Sequence, residues 1–270
     1  MRAAGVVRYE RVTGRGGRGA CRFLLYAAAQ FFVLTMTAMA LYPGGNAQDP
    51  AQRGYSFFEN FFSDLGQTSV RYSAARPANT VSMVLFVIAL VTVGVAVVVA
   101  AWPIGVAVSA PRGRLGALVI GLAGSLAGAG FIGVAANPWN LRLGVHIIAV
   151  KVAFFGLLVL MVAVAVQAAR NRWPRWFVAL GWVYALALAA YFADLLWGPG
   201  ISTSQGALVQ SVSQKAIVYL SIACLSAIAW GVIRYAGVSA SAARGTPAGA
   251  APDSATVSAS ESVSLSEPDR

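Results

Sequence analysis

Apolar residues run along this chain in six blocks, each long enough to cross a bilayer core, which takes about 20 residues of helix. The blocks extend from Arg22 to Leu41, Pro77 to Ala101, Leu115 to Ala136, Val145 to Ala169, Trp176 to Trp197 and Ala207 to Val232. Most connections between them are short, so consecutive helices should pack as antiparallel neighbours. The pattern predicts an all-α fold, a polytopic membrane protein with a six-transmembrane-helix bundle over residues 22–236. A basic arm (1–21) precedes it. A tail (237–270) rich in Ser, Ala, Gly and Pro follows, and its composition reads as disordered, as does Gly14 to Gly19. One competing reading concerns the first block. It follows a basic stretch and ends in Ala38-Met39-Ala40, which resembles a signal-peptidase site; its length favours a retained helix.

The connection after the first block is the longest, and it carries its own period. Within Tyr55 to Gly66, Phe57, Phe58, Phe61, Phe62 and Leu65 fall on one helical face. Glu59, Asn60, Ser63 and Asp64 fall on the other. This predicts a short amphipathic helix over Tyr55 to Leu65, capped by Ser56 and Glu59, with its phenylalanines against the membrane or bundle. Asp64 would stand at its C-terminal end, where the helix dipole disfavours a carboxylate, so a cation such as Lys151 or Lys215 should accompany it.

Charge fixes an orientation. The chain is 58% hydrophobic, 11% charged and carries a net +11, yet its arginines alternate with the loops instead of forming a nucleic-acid-binding face. They gather in the N-terminal arm, at Arg112 and Arg114, at Arg170, Arg172 and Arg175, and at Arg234, while on the other side Arg53, Arg71 and Arg76 share their loop with Asp49, Glu59 and Asp64 and Arg142 stands alone. This bias predicts both termini in the cytoplasm of a bacterial plasma membrane. Nucleic acid is not an expected partner; membrane lipids are. The sequence leaves the oligomeric state open.

The third block is rich in glycine. Gly124 and Gly128 form a small-xxx-small pair, and Ser125, Ala129 and Gly133 repeat that spacing beside it. Such residues let helix backbones approach closely in lipid, so the third helix should be central.

Polar groups inside the spans point to a site. The only two lysines, Lys151 and Lys215, both lie within apolar blocks. A charge near mid-membrane costs roughly 2.5–3.5 kcal/mol on insertion scales and tends to face a partner or a wet cavity. At a rise of about 1.5 Å per residue, Lys151 lies about 9 Å and Lys215 about 12 Å into their spans from the outer side. Asp194 and His146 sit at similar or shallower depth. Gln210, Ser211, Gln214 and Lys215 form a polar stripe on the last block. Asp64, His146, Lys151, Asp194, Gln214 and Lys215 are therefore candidate ligand-binding residues of an outward-facing intramembrane pocket for a small anion or lipid headgroup, in transport or sensing. The alternative is a structural or assembly protein whose buried charges only pair.

Enzymatic readings are weaker. His146 is the only histidine, which falls short of the three or four ligands a catalytic zinc needs. No metal or cofactor is expected. A Ser–His–Asp set composed from Ser63, His146 and Asp64 or Asp194 lacks a motif that fixes the nucleophile, which leaves a membrane-embedded hydrolase as a minor alternative. Phe61-Phe62-Ser63-Asp64-Leu65-Gly66 resembles the Ser-Asp-Leu-Gly signature of bacterial multi-pass membrane proteins grouped as domain of unknown function 998. Asn137-Pro138 followed by His146, and Gln214-Lys215, are similar to that family's other motifs. The resemblance covers roughly Ala20 to Tyr235 and implies six membrane helices of unassigned activity.

Overall fold

Apolar stretches in a membrane must satisfy their backbone internally, and helices do so within a single segment. The computed structural model describes residues 15–110 and 113–244. It contains six long helices: α1 (Arg15–Ala40), α2 (Thr80–Ser109), α3 (Arg114–Ala136), α4 (Trp139–Arg170), α5 (Arg175–Trp197) and α6 (Ser204–Arg244). All six are long and apolar enough to cross a membrane. Each packs on the next, α6 returns to α1, and α2 reaches across to both α4 and α6. The result is a closed ring of helices with α2 filling part of its centre.

Helix ends differ from the hydropathy boundaries for local reasons. α2 continues past Trp102 and through Pro103 to Ser109. The following turn buries Ile104, Ala107 and Val108, and unwinding there would expose main-chain groups to an apolar layer. The missing Pro103 amide is the smaller loss. α4 begins at Trp139, ahead of Val145, with a non-helical break at Arg142 (φ −137°, ψ 57°). α1 runs back to Arg15 through Gly16 and Gly19, so Arg15 to Gly19 is helical. Helix propagation from the apolar block outweighs a glycine cost of about 1 kcal/mol each. α6 likewise continues to Arg244. The expectations for residues 1–14 and 245–270 lie outside the described residues.

Glycine on α3 sets how closely three helices approach. A Cβ on Gly94 of α2 would lie 2.8 Å from the Gly128 carbonyl oxygen, and one on Gly124 would overlap Ala101. On another side of α3, a Cβ on Gly130 would lie 2.5 Å from the Ala153 nitrogen of α4. The contact is reciprocal, because one on Gly156 would lie 2.7 Å from the Ala127 nitrogen. α3 is thus clasped on two faces, by α2 and α4, but the central place expected of it falls to α2, which meets α1, α3, α4 and α6. Ser125 belongs to the α2 face, where it accepts a hydrogen bond from Trp102 Nε1 (3.2 Å).

The connection 41–79 folds into a compact cap. Gly44 and Gly45, at φ 121° and 90°, turn the chain back so that Gly44 pairs with Arg53 in an isolated antiparallel bridge; Ser69 and Ala78 form a second. At Gly44 a side chain would also run into the Gln52 carbonyl oxygen. The amphipathic helix expected here is shorter than its periodicity suggested. Helical structure is confined to a 3-10 turn, Phe62–Gly66, and 57–59 form an ordinary turn. The Asn60 side chain supplies the reason. Its Oδ1 accepts the Ser56 amide (2.9 Å) and its Nδ2 donates to the Gly45 carbonyl (3.0 Å), a side-chain alternative to helical pairing. Glu59 consequently accepts from Asn46 Nδ2 (3.2 Å) instead of capping. The phenylalanines do not share one face, since Phe57 and Phe58 are exposed while Phe62 is buried.

The glycine contacts generate a prediction. Gly128→Leu should force α2 and α3 apart at a cost of about 1–3 kcal/mol, seen as a lower midpoint of thermal unfolding in detergent. Gly144→Leu, at a position with nothing within 4 Å, should leave the midpoint unchanged. Equal midpoints for the two variants would remove the packing argument.

Candidate functional site

Main-chain groups in the cap need partners at the mouth of an apolar bundle, and side chains from three helices supply them. From α2 and its N-cap, Asn79 Nδ2 donates to the carbonyls of Leu65 and Gln67 (3.0 Å each), and Ser82 Oγ donates to Leu65 (3.3 Å). From α4, Asn140 Nδ2 donates to Thr68 Oγ1 (2.9 Å), while the Trp139 ring packs on Tyr72. From α6, Gln214 Oε1 accepts the Phe62 amide (2.7 Å), Ser211 Oγ donates to the Phe58 carbonyl, and Lys215 Nζ donates to the Asn60 carbonyl. The cap is stitched to the bundle on three sides.

Lys215 is 2% exposed. Its ammonium also donates to the Ser211 carbonyl (3.2 Å) and lies 5.6 Å from the Tyr55 ring centroid and 5.7 Å from that of Phe57. Two carbonyls and two aromatic faces replace its water. Asp64, 1% exposed, lies nearby in the cap. Its Oδ2 accepts from the Phe61 amide (2.9 Å) and Asn60 Nδ2 (3.0 Å), and its Oδ1 from Gln67 Nε2 (3.1 Å). Burial pushes the Asp64 carboxyl up from 3.8 to about 6. The hydrogen bonds from Asn60 and Phe61, the Lys215 charge and the Trp139 indole pull against that rise. Tyr42, Tyr55 and Tyr72 also feel Asp64. Burial raises all three phenols first, and the Asp64 charge adds to it, so they stay neutral near pH 7.

Behind the cap lies a partly open cavity of about 60 Å³. Phe62 roofs it, stacked on Phe31 of α1 with centroids 5.8 Å apart and tilted against Phe86 of α2 at 5.9 Å. Val93, Phe131, Val150 and Leu225 are among its apolar walls, and every helix except α5 contributes. The polar lining consists of Ser63, His146, Gln214 and Ser221. His146 Nδ1 meets the Asn137 carbonyl at 2.8 Å; a carbonyl only accepts, so Nδ1 carries the proton and Nε2 keeps its lone pair. Ser221 Oγ is committed to Ile217 (2.6 Å).

The six candidate residues do not form one pocket. His146 and Gln214 line the cavity. Asp64 and Lys215 both bond to Asn60 in the cap clamp and do not line it. Asp194, near the C-terminal end of α5, accepts from Ser213 Oγ (2.7 Å). Lys151 is half-buried on α4, outside the lining. A relay from Ser63 through His146 to Asp64 is not hydrogen-bonded, because the His146 Nδ1 proton goes to Asn137 and both Asp64 oxygens are bound within the cap. Among the described residues, no three His, Cys, Asp or Glu side chains gather to hold a metal ion. Sequence reasoning missed Asn60, the hub of the cap. Its partner Gly45 is fifteen residues away, and no local pattern announces that contact.

No protein-family model, curated protein or solved structure matches this chain.

The clamp generates two predictions. Lys215→Met removes the ammonium from the Asn60 carbonyl and the counter-charge of Asp64, so it should cost about 3 kcal/mol and open the cap to trypsin at the exposed Arg53 and Arg71. Adding Asp64→Asn should recover part of the loss; strictly additive losses would mean that the two side chains do not couple. The second concerns pH. A carboxyl whose folded value is raised contributes stability that is full below about pH 4 and is lost as pH rises through about 6. Native protein should therefore unfold at a higher temperature at pH 5 than at pH 7.5. In Asp64→Asn this step should shrink, and an unchanged step would assign it to another group.

Proposed function

We propose that this integral membrane protein binds the apolar chain of a membrane lipid inside its helix bundle, for transport or sensing. The observation that carries the reading is the cavity itself. Its lining is apolar with a few polar groups, which is the usual composition of ligand sites. A lipid is favoured over a small anion because none of the lining side chains is a lysine, arginine, aspartate or glutamate. Of the two lysines, the simplest anion-binding groups, Lys215 is bound to the Asn60 and Ser211 carbonyls and Lys151 lies outside the lining.

A second reading has its own support. Lys215 commits its ammonium to two carbonyls of the protein and Asp64 commits its oxygens to the cap, so these charges serve as structure, as in an assembly or scaffold protein. The two readings are compatible, since a clamp can hold the roof of a binding cavity. The loop arginines support a bacterial plasma membrane with both termini in the cytoplasm and the cap outside. The Ser63-Asp64-Leu65-Gly66, Asn137-Pro138 and Gln214-Lys215 motifs support membership of the family of domain of unknown function 998.

Filling the cavity tests the first reading. Val218→Phe adds volume at a lining position and should abolish lipid retention in native mass spectrometry of the purified protein, with the fold intact by circular dichroism. Retention equal to that of the native protein would overturn the reading. Orientation is checked by cysteine labelling. Cys21 and Cys224 are both buried, so the native background is low, and Cys at exposed Gln48 should label only from outside, Cys at Arg175 only from inside. Labelling of both from one side would sink the topology.

A further inference from the structure

The cavity's polar atoms are few, and Gln214 and His146 have a determined hydrogen-bond sense. Gln214 uses Oε1 to accept the Phe62 amide. An amide N–H can only donate, so the side-chain orientation is fixed and both Nε2 protons are left without a partner among the described residues. His146 donates through Nδ1 to Asn137, so Nε2 can only accept. Ser63 Oγ, on the 3-10 turn next to the roof residue Phe62, makes no hydrogen bond among the described residues and can do either. All three side chains line the one cavity, and two of them are held in place by a main-chain bond.

We infer that the cavity selects an uncharged lipid head that presents a carbonyl oxygen and a hydroxyl together, the chemistry of a glycerol monoester. The inference rests on the lipid-binding reading above and specifies the ligand of that site. Gln214 Nε2 donates to the ester carbonyl, the glycerol hydroxyl donates to His146 Nε2, and Ser63 completes the set at the roof. A phosphate head would enter an apolar cavity with no lining ammonium or guanidinium to offset its desolvation. A hydrocarbon alone would leave the Gln214 donors and the His146 acceptor buried and unpaired.

The test uses probes that share one chain. Monoolein, oleyl alcohol, oleoyl-lysophosphatidylcholine, oleoyl-lysophosphatidylglycerol and 1-octadecene are titrated against the full-length protein in one detergent, with binding read by native mass spectrometry. Monoolein should bind about tenfold more tightly than oleyl alcohol, the worth of one good hydrogen bond, and the two phospholipids should bind more weakly still. Gln214→Glu keeps an oxygen for the Phe62 amide but removes the donor, and should lower monoolein affinity about tenfold while leaving 1-octadecene unchanged. His146→Phe should act in the same way through the hydroxyl. Equal binding of all five probes would overturn the head-group inference and leave the cavity reading intact. Binding of none would overturn both. Preference for either phospholipid, or monoolein binding untouched by both variants, would overturn the inference.

Discussion

A chain that leaves helical structure at the edge of an apolar layer must still pair its main-chain N–H and C=O groups. That constraint governs the cap over residues 41–79 and, through it, the upper half of the bundle. The cap contains no regular strand and a single 3-10 turn, so its own backbone cannot supply the partners. Amide side chains do so instead. Asn60, Asn79 and Asn140 join segments that the backbone alone would leave apart, while Asn46 and Gln67 pair main-chain amides within their own turns. Asn60 is the most heavily used, tying Gly45, Ser56 and Asp64 together beneath the surface.

The same constraint accounts for a lysine inside an apolar helix. The Asn60 and Ser211 carbonyls converge on one point between the cap and α6, and a compact ammonium with rotatable donors can serve both. A planar guanidinium presents its donors in a fixed fork suited to carboxylates. In a chain that carries all but two of its positive side chains as arginine, Lys215 is the residue whose shape fits. Tyr55 and Phe57 close over it, which explains aromatic residues in the cap better than membrane insertion does. Phe57 also stacks on Tyr219 of α6, with centroids 6.3 Å apart.

Much of the architecture is legible in the sequence because hydropathy over twenty residues is a local property. The six spans, the close packing of α3 and the polar character of His146, Gln214 and Lys215 can all be read without coordinates. Boundaries fail where tertiary burial overrides a local signal, as at Pro103, where Ile104 and Ala107 are worth continuing the helix. The cap fails for a related reason. Its phenylalanines repeat at helical spacing, yet Phe62 faces Phe31 and Phe86 while Phe57 faces α6, a division set by the Gly44–Gly45 turn and by Asn60. The candidate site was legible as a set of polar residues at one depth but not as the separate places they occupy. Depth along a helix does not specify whether a side chain points at the cap or at the ring's interior.

That division between clamp and cavity ties stability to access. The tight glycine contacts draw α2, α3 and α4 together, while α6 presents Val218, Ser221, Ile222 and Leu225 at helical spacing to the open side. The space is left where a bulky stripe faces a ring that closes tightly elsewhere. Phe62 covers its upper end, and its amide is held by Gln214, one residue before Lys215 on the same helix. A ligand entering from the cap end must lift Phe62, which breaks the Gln214 bond and loads the adjacent Lys215–Asn60 contact. A ligand entering sideways between helices disturbs neither. On the lipid-binding reading, the clamp would oppose entry from the cap end and be indifferent to entry between helices.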